Sequence, residues 1–356
     1  MKIIGRDIES AKLKSWYKSG RAEFIAIYGR RRVGKTYLVN TFFNNQFAFD
    51  ATGIIGGTRA EELDAFHSAL VEYGYSGLKP KKWMEAFDAL KNLLKEQIVK
   101  GKRTIVFIDE LPCMATPKSD LVKALDYFWN KWGSRQKELM LIVCGSATSW
   151  IVRNIIDNKG GLHNRITHEM HLFPFHLKET REFLSANKFK WNDVTVLQAY
   201  MILGGIPYYL GLLEPDISLA ENIDALFFGE GAQLRGEYER LYKSLFKTPE
   251  RYKAIIKLLS DTKKGLTRKK SLKSLKFQIM ATLAIFWKTS QTAILSGTIM
   301  CWERVSVLVA VSINSSTSSL SSMPLSSRAR TMTHTSGSIL SIPLPRTIGT
   351  DSPTKK

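Results

Sequence analysis

The chain has 356 residues and a formal net charge of +20, with 44% hydrophobic and 24% charged residues, as in a soluble globular protein of roughly two or three domains. No run of residues approaches the roughly 18 apolar residues of a membrane helix, and the first residues do not resemble a signal peptide. The three cysteines form no CxxC pair, which argues against a structural zinc site and indicates a reducing, cytoplasmic environment. Because no apolar run is long enough for a membrane helix, no membrane partner is expected.

Residues 1–175 alternate short apolar strands with helical stretches, which predicts a parallel α/β sheet flanked by helices. The expected strands are 24–28, 47–52, 104–109, 139–144 and 167–172, and helices are expected after the first strand, near 60–73, near 83–100, near 119–132 and near 148–157. From Pro174 onward the pattern becomes wholly helical and predicts a small bundle, with helices at 178–187, 194–203, 218–228, 234–246 and 249–260.

An octapeptide with the pattern G-x-x-x-x-G-K-[ST] follows the first strand and precedes a helical stretch. Backbone N–H groups and the positive end of a helix dipole in this position cradle a di- or triphosphate. Lys35 is expected to reach the β- and γ-phosphates, and the Thr36 hydroxyl to ligate Mg²⁺. The motif predicts a nucleotide site formed by Gly29, Arg30, Arg31, Arg32, Val33, Gly34, Lys35 and Thr36.

Two consecutive carboxylates stand at the end of the apolar strand 104–109, about 70 residues after the phosphate loop. Ligands of α/β sheets bind at the carboxyl ends of the strands, so Asp109 is expected near the Mg²⁺ held by Thr36. Glu110, the next residue, is expected to orient or deprotonate the attacking water. A solvated strand end is the alternative interpretation.

Two further residues are candidates for catalysis. Ser146 follows the strand 139–144 and is expected to touch the γ-phosphate or the attacking water, although helix capping by Thr148 or Ser149 is a competing use of this segment. Arg165 precedes the last strand, where it would stabilise transition-state charge in cis or across a subunit interface, or would simply be a surface arginine.

These segments together resemble the AAA-type ATPases best known from archaea and also present in bacteria, which are related to the signal-transducing STAND NTPases. The resemblance covers residues 1 to about 270. It rests on Ile4 to Asp7, Tyr28 to Thr36, Phe107 to Leu111, Gly145 to Ala147, residues 160–165 and Gly204 to Leu210.

The resemblance implies a P-loop ATPase domain at 1–175, a helical lid subdomain at 176–262 and the start of a winged-helix domain at 263–270. It also implies a role for each matching residue. By this resemblance Gly5 and Arg6 would lie near the adenine, Lys35 and Thr36 would form the Walker A pair, and Asp109 and Glu110 the Walker B pair. Ser146 would be the sensor 1 residue, Arg165 the arginine finger, and Pro207 the element by which the lid senses the base. A helix-breaking turn is the alternative interpretation of Pro207.

Residues 271–356 depart from the family pattern. Residues 312–356 are crowded with Ser and Thr and contain no aromatic ring, which is typical of a disordered low-complexity tail. A second interpretation is an out-of-frame translation, since codons read one base earlier can turn residues 278–281 into Ser-Asn-Asn-Gly. We expect the out-of-frame interpretation to hold from about residue 271.

The expected function is Mg²⁺-dependent hydrolysis of ATP to ADP and phosphate, used as a conformational switch. One rival is a nucleotide-sensing binding module with little hydrolysis. Another is a P-loop kinase for a small molecule, against which the string GGIPYYL counts. Residues 1–270 keep a net charge of +13, which suits a DNA partner, a protein partner or merely a basic surface. A homo-oligomer is compatible with the resemblance.

A chain ending near Lys270 should bind ATP as tightly as the 356-residue chain and be at least as soluble, because out-of-frame sequence lacks the apolar periodicity of a core. Calorimetric titration of both chains with ATP measures this. Loss of ATP binding in the shorter chain, or protease-resistant structure across residues 312–356, would contradict the out-of-frame interpretation.

Overall fold

The computed structural model describes residues 3–117, 119–157 and 165–237, together with residues 239 and 250. Several expected segments lie outside these residues: the helix at 249–260, most of the helix at 234–246, the winged-helix start at 263–270 and the tail at 271–356.

Five strands form one parallel sheet in the order β2-β3-β4-β1-β5. Their bounds are β1 Glu23–Tyr28, β2 Phe49–Thr52, β3 Thr104–Asp109, β4 Leu139–Gly145 and β5 His168–His171. The expected α/β fold is confirmed.

Helices lie before, between and after these strands. They are α1 Asp7–Tyr17, α2 Lys35–Phe42, α3 Arg59–Glu72, α4 Trp83–Gln97, α5 Leu111–Met114, α6 Leu121–Lys131, α7 Thr148–Ile151, α8 Leu177–Ala186, α9 Asp193–Leu203, α10 Pro207–Leu210 and α11 Leu219–Ile223. Short π-helical segments extend α7 over Val152–Ile156 and α11 over Asp224–Phe228, and a 3-10 turn spans Gly133–Arg135.

The three central strands, β1, β3 and β4, are buried on both faces because they are nearly continuous apolar runs. Alternate residues of β1 enter different cores. Phe24 and Ala26 pack into the core that is closed by α3, α4 and α6. Ile25 and Ile27 pack into the core on the opposite face, with Leu13 of α1 and residues of α2.

Three elements were not anticipated from sequence. Helix α1 is largely polar and buries only Leu13 completely, so its apolar periodicity is weak. Helices α5 and α10 are single turns, each with proline in its first turn, where the missing N–H is not needed. The single helices expected at 148–157 and 218–228 each end as a π-helical segment instead.

The chain forms two compact units. The first contains Met1–Phe189 and Gly205–Leu212, so α8 and α10 belong to the unit that contains the sheet. The second contains α9 and α11, and there Asn222 accepts from Glu214 N at 2.7 Å and donates to the carbonyls of Glu214, Ile217 and Ser218. The boundary expected at residues 175 and 176 stays a prediction.

A charged cluster lies at the amino edge of the sheet in the first unit. The fully buried Glu23 accepts from Arg21 Nε at 3.0 Å, and His168 Nε2 lies 3.3 Å from its other oxygen. Burial acts to raise the pKa of the Glu23 carboxyl, but hydrogen bonds from Thr167, Ser19 and Arg21 outweigh it and lower the pKa. Burial lowers the pKa of His168 despite the nearby carboxylate, so the folded protein resists its protonation.

The free energy of unfolding should therefore rise as the pH is raised from about 5 to about 7, since the unfolded chain binds a proton at His168 that the folded chain excludes. Urea denaturation at several pH values measures this slope. His168→Gln should flatten it and leave the part due to His171, whose pKa burial also lowers. If the dependence of the unfolding free energy on pH were unchanged in His168→Gln, His168 would have the same protonation in the folded and the unfolded chain, and the prediction would be wrong.

Candidate active site

Neighbouring strands bring several of the predicted site residues to one edge of the sheet. In the parallel register Tyr28 of β1 lies beside Gly145 of β4, and Ile108 of β3 lies beside Val143 of β4. The phosphate loop, the two carboxylates and Ser146 therefore all leave the sheet at its carboxyl edge. A Cβ atom at Gly29 would overlap the carbonyl oxygen of Leu172, so the first residue of the loop after β1 has to be glycine.

Lys35 is enclosed by the loop that precedes it. Its side chain is 6% exposed, and Nζ donates to the carbonyl oxygens of Gly29 at 3.0 Å and Arg30 at 3.1 Å. Both acceptors are neutral carbonyl oxygens, so neither of these bonds balances the charge of the ammonium at the centre of the loop. Such a charge favours an anion there.

The Thr36 hydroxyl donates to Asp109 Oδ2 at 2.5 Å and joins the start of α2 to the end of β3. Asp109 is 4% exposed, and its Oδ1 accepts from the backbone N–H of Glu110 at 2.8 Å. Hydroxyl and carboxylate oxygens are ligands that suit Mg²⁺. Across the described ranges no group of three or more His, Cys, Asp or Glu could hold a metal alone. Phosphate oxygens and water would have to complete the coordination of such a cation.

Glu110 is held in an uncommon conformation. Its φ of 45° is left-handed, which costs roughly 1 kcal/mol for a residue with a side chain. Its Oε2 accepts from Ser146 Oγ at 2.9 Å and from Ser146 N at 3.1 Å, so β4 orients the carboxylate that follows β3. Ala147, without a side-chain hydrogen bond, holds the N-cap position of α7, and neither Thr148 nor Ser149 does.

A cavity of about 520 Å³ lies over the loop in the first unit. Polar groups of the phosphate loop and Glu110 form part of its lining. Another part comes from apolar and aromatic side chains of the amino-terminal segment, of α8 and α10 and of the segment between β5 and α8. These are Ile3, Ile4, Phe175, Phe183, Pro207 and Tyr208. A cavity with both cationic and apolar lining suits a ligand with phosphates and a flat ring.

Arg6 lines the cavity, but its guanidinium is hydrogen-bonded to other parts of the protein. It is 5% exposed and donates to the carbonyl oxygens of Val33 at 3.0 Å and Phe173 at 2.8 Å, with its guanidinium 4.6 Å from the ring centre of Phe175. Burial lowers its pKa. These contacts tie the phosphate loop to the chain after β5. Gly5 does not line the cavity, and its φ is +66°.

The three loop arginines occupy different environments. Arg31 is exposed and lines the cavity, and Arg30 is partly buried. Arg32 has a left-handed φ of 70° and lies over the ring of Tyr208 at 4.5 Å. Its NH1 also donates to the Tyr209 hydroxyl at 3.4 Å. Sequence reasoning missed both tyrosines as site residues, although the string GGIPYYL contained them.

Arg165 does not reach the phosphate loop of its own chain. It is exposed and precedes Thr167, whose backbone N–H donates to Phe24 O at 2.8 Å. Phe24 lies at the start of β1, about 16 Å from Gly29 along the strand at the usual rise per residue. Arg165 lies near enough to Asp126 to counteract the rise that burial causes in the pKa of that carboxyl. Residues 160–164 lie outside the described residues.

Comparison with known families and structures gives a consistent assignment. Residues 4–213 match a family described as an ATPase domain predominantly from Archaea. An uncharacterized protein of Methanocaldococcus jannaschii is 25% identical over 262 residues, which are 72% of this chain and 54% of that protein. The chain thus spans about half the length of the curated relative that it matches.

Solved structures of archaeal proteins are similar as well. The ORC2 protein of Aeropyrum pernix, in ADPNP and ADP complexes, is 15% identical with a TM-score of 0.54, over 89% of this chain and 96% of that chain. A Walker-type ATPase of Pyrococcus abyssi is 20% identical with a TM-score of 0.49, over 72% and 79%. A STAND protein of Pyrococcus horikoshii is 15% identical with a TM-score of 0.41, over 80% and 38%. The similarity to the ORC2 protein shows that the two chains share a fold.

Among the described helices, none is long and apolar enough to cross a bilayer.

Lys35→Ala should abolish ATP binding without unfolding the protein, because it removes the buried ammonium at the centre of the phosphate loop. Calorimetric titration with ATP, together with a thermal melt, measures both effects. Lys12→Ala, on α1, is the matched control for loss of one lysine charge. Wild-type affinity in a folded Lys35→Ala protein would remove Lys35 from the site.

Proposed function

The chain belongs to the family of ATPase domains found predominantly in Archaea, and on this premise we propose that it hydrolyses ATP to ADP and phosphate in a Mg²⁺-dependent reaction. Hydrolysis would serve as a conformational switch. The observation that carries the proposal is the hydrogen bond from Thr36 to Asp109 beside Lys35 and Glu110, because these residue types in this arrangement bind and hydrolyse a nucleoside triphosphate.

Binding depends on two kinds of group at the cavity. The backbone N–H groups at the start of α2 and the Lys35 ammonium would hold the phosphates. The apolar part of the lining, which includes Phe175, Pro207 and Tyr208, would take the adenine ring and exclude water from it. Arg6 would keep the loop in its binding shape through its bond to Val33 O rather than touch the adenine.

Thr36 and Asp109 are the residues that would hold Mg²⁺. The cation would neutralise charge on the phosphates when bound. Glu110 would accept a hydrogen bond or a proton from the attacking water. Ser146 donates to the same carboxylate and would fix its orientation, which extends the expected sensor role of Ser146 to Glu110 itself.

A slower, sensing function is the second candidate. Oε2 of Glu110 already accepts two hydrogen bonds from Ser146, so this carboxylate is held by the protein rather than directed at a water. If nucleotide binding does not release one of these bonds, turnover will be slow and the protein will act by exchanging ATP and ADP. A DNA or protein partner is compatible with either candidate, because residues 1–270 carry a net charge of +13.

A contribution of Arg165 requires a second copy of the chain. Since Arg165 lies at the amino edge of the sheet and the phosphate loop at the carboxyl edge, the arginine would act on the nucleotide of a neighbouring subunit. The proposal therefore includes a homo-oligomer in the active state.

Glu110→Gln should keep ATP binding and lose most turnover, on the order of a hundredfold, because glutamine is isosteric but cannot accept the proton. Phosphate release and calorimetric binding are the two measurements. Ser146→Ala is the matched variant, since it removes one hydrogen bond to the same carboxylate and should reduce kcat less than Glu110→Gln. Undiminished phosphate release by Glu110→Gln would exclude Glu110 as the residue that activates water, and very slow turnover of the wild type would favour the sensing function.

A further inference from the structure

We propose that Arg32 and Tyr208 form a stacked pair that transmits nucleotide occupancy from the phosphate loop to the segment 205–212, which rests on the proposed nucleotide-binding function. Arg32 Cζ lies 4.5 Å from the ring centre of Tyr208 and 5.5 Å from that of Tyr209. Both Arg32 and Tyr208 line the cavity. The pair thus joins the loop that holds phosphates to the wall that would face the base.

Arg32 carries a side chain at a backbone position that glycine would occupy more easily. A φ of 70° is left-handed, and glycine would occupy it at no steric cost, whereas arginine pays roughly 1 kcal/mol. Strained positions of this kind persist where the surrounding structure fixes them, as the two tyrosine rings do here. We attribute the arginine at this position to its contact with α10.

A guanidinium can serve a ring and a phosphate at once. Its flat face stacks on an aromatic ring while its N–H edge binds oxygen, and a lysine ammonium cannot do both with the same geometry. A phosphate oxygen bound by Arg32 would therefore hold the guanidinium in place, and the guanidinium would hold Tyr208. Tyr208 is 47% exposed, so the protein core does not immobilise it and the contact with Arg32 can.

The segment that receives the signal has a special place in the chain. Residues Gly205–Leu212 belong to the first unit, but the chain continues into the second unit at both ends. At the first crossing, Gly204 and Gly205 both have left-handed φ values, of 67° and 65°. Phe175 N donates to Gly205 O at 2.7 Å and anchors this end near the cavity. A change in the mobility of residues 205–212 would therefore act on the two points where the chain passes into the second unit.

The test uses the full chain and two readouts with ADP as the ligand. Calorimetry gives the affinity of the wild type, Arg32→Gly, Tyr208→Leu and the double variant. Hydrogen exchange gives the protection of amides in 205–212 with and without saturating ADP. Arg32→Gly is chosen because glycine keeps the left-handed backbone, and Tyr208→Leu because the ring is half exposed, so both variants should fold.

Each single variant should weaken ADP binding by roughly three- to tenfold, and the double variant should be no weaker than either one. The protection that ADP induces in 205–212 should be lost in all three. Tyr208→Phe should behave as the wild type, since it keeps the ring. Arg31→Ala is the charge control: it removes a cation from the same loop, so affinity should fall but the protection at saturating ADP should remain.

The inference is overturned if saturating ADP protects 205–212 equally in the wild type, Arg32→Gly and Tyr208→Leu. Additive effects of the two single variants on affinity would overturn it as well. Either result, with tight ADP binding by the wild type, leaves the proposed function standing. A wild-type chain that fails to bind ADP or ATP would overturn the proposed function and this inference together.

Discussion

The parallel pairing of β1 with β4 is the constraint on which the site depends. It places Tyr28 opposite Gly145, so the phosphate loop and Ser146 start from neighbouring points of the same edge. The pairing of β3 with β4 then brings Asp109 and Glu110 alongside. A shift of one residue in either register would turn every side chain to the opposite face and bury the wrong residues of β1. The two apolar cores fix the register, and the register fixes the site.

Hydrogen bonds between the ends of these elements then give the site its chemistry. Ser146 to Glu110 joins the ends of the adjacent strands β4 and β3, whereas Thr36 to Asp109 joins the helix after β1 to the end of β3, with β4 between those strands. Each bond involves a carboxylate that is wholly or partly shielded from water. In such surroundings a hydrogen bond to a charged group contributes about 1.5–3 kcal/mol, and an unpaired one is costly. Both bonds would change when phosphate oxygens and a cation compete for the same atoms, so the site is arranged to respond to its ligand.

Left-handed backbone occurs at two residues of the site that carry a side chain. Glu110 and Arg32 both adopt positive φ, although residues with a Cβ disfavour it. In each case the side chain has a partner across the site, Ser146 for the carboxylate and Tyr208 for the guanidinium. Burial of apolar side chains in the two cores of the sheet offsets the free-energy cost of this backbone strain.

The parallel α/β class, the five strands to within two residues at each end, and the phosphate loop could be predicted from the sequence, because buried strands and glycine-rich loops are encoded by neighbouring residues. The sequence also placed Asp109, Glu110 and Ser146 at strand ends. The packing of the folded chain was needed to show that Ser146 donates to Glu110, that Arg6 donates to the carbonyl of Val33, and that Arg32 stacks on Tyr208. It likewise set Arg165 at the far edge of the sheet from the loop. These partners lie 27 to 176 residues apart in the chain, and their contacts depend on strand order and packing, which no local pattern of residues specifies.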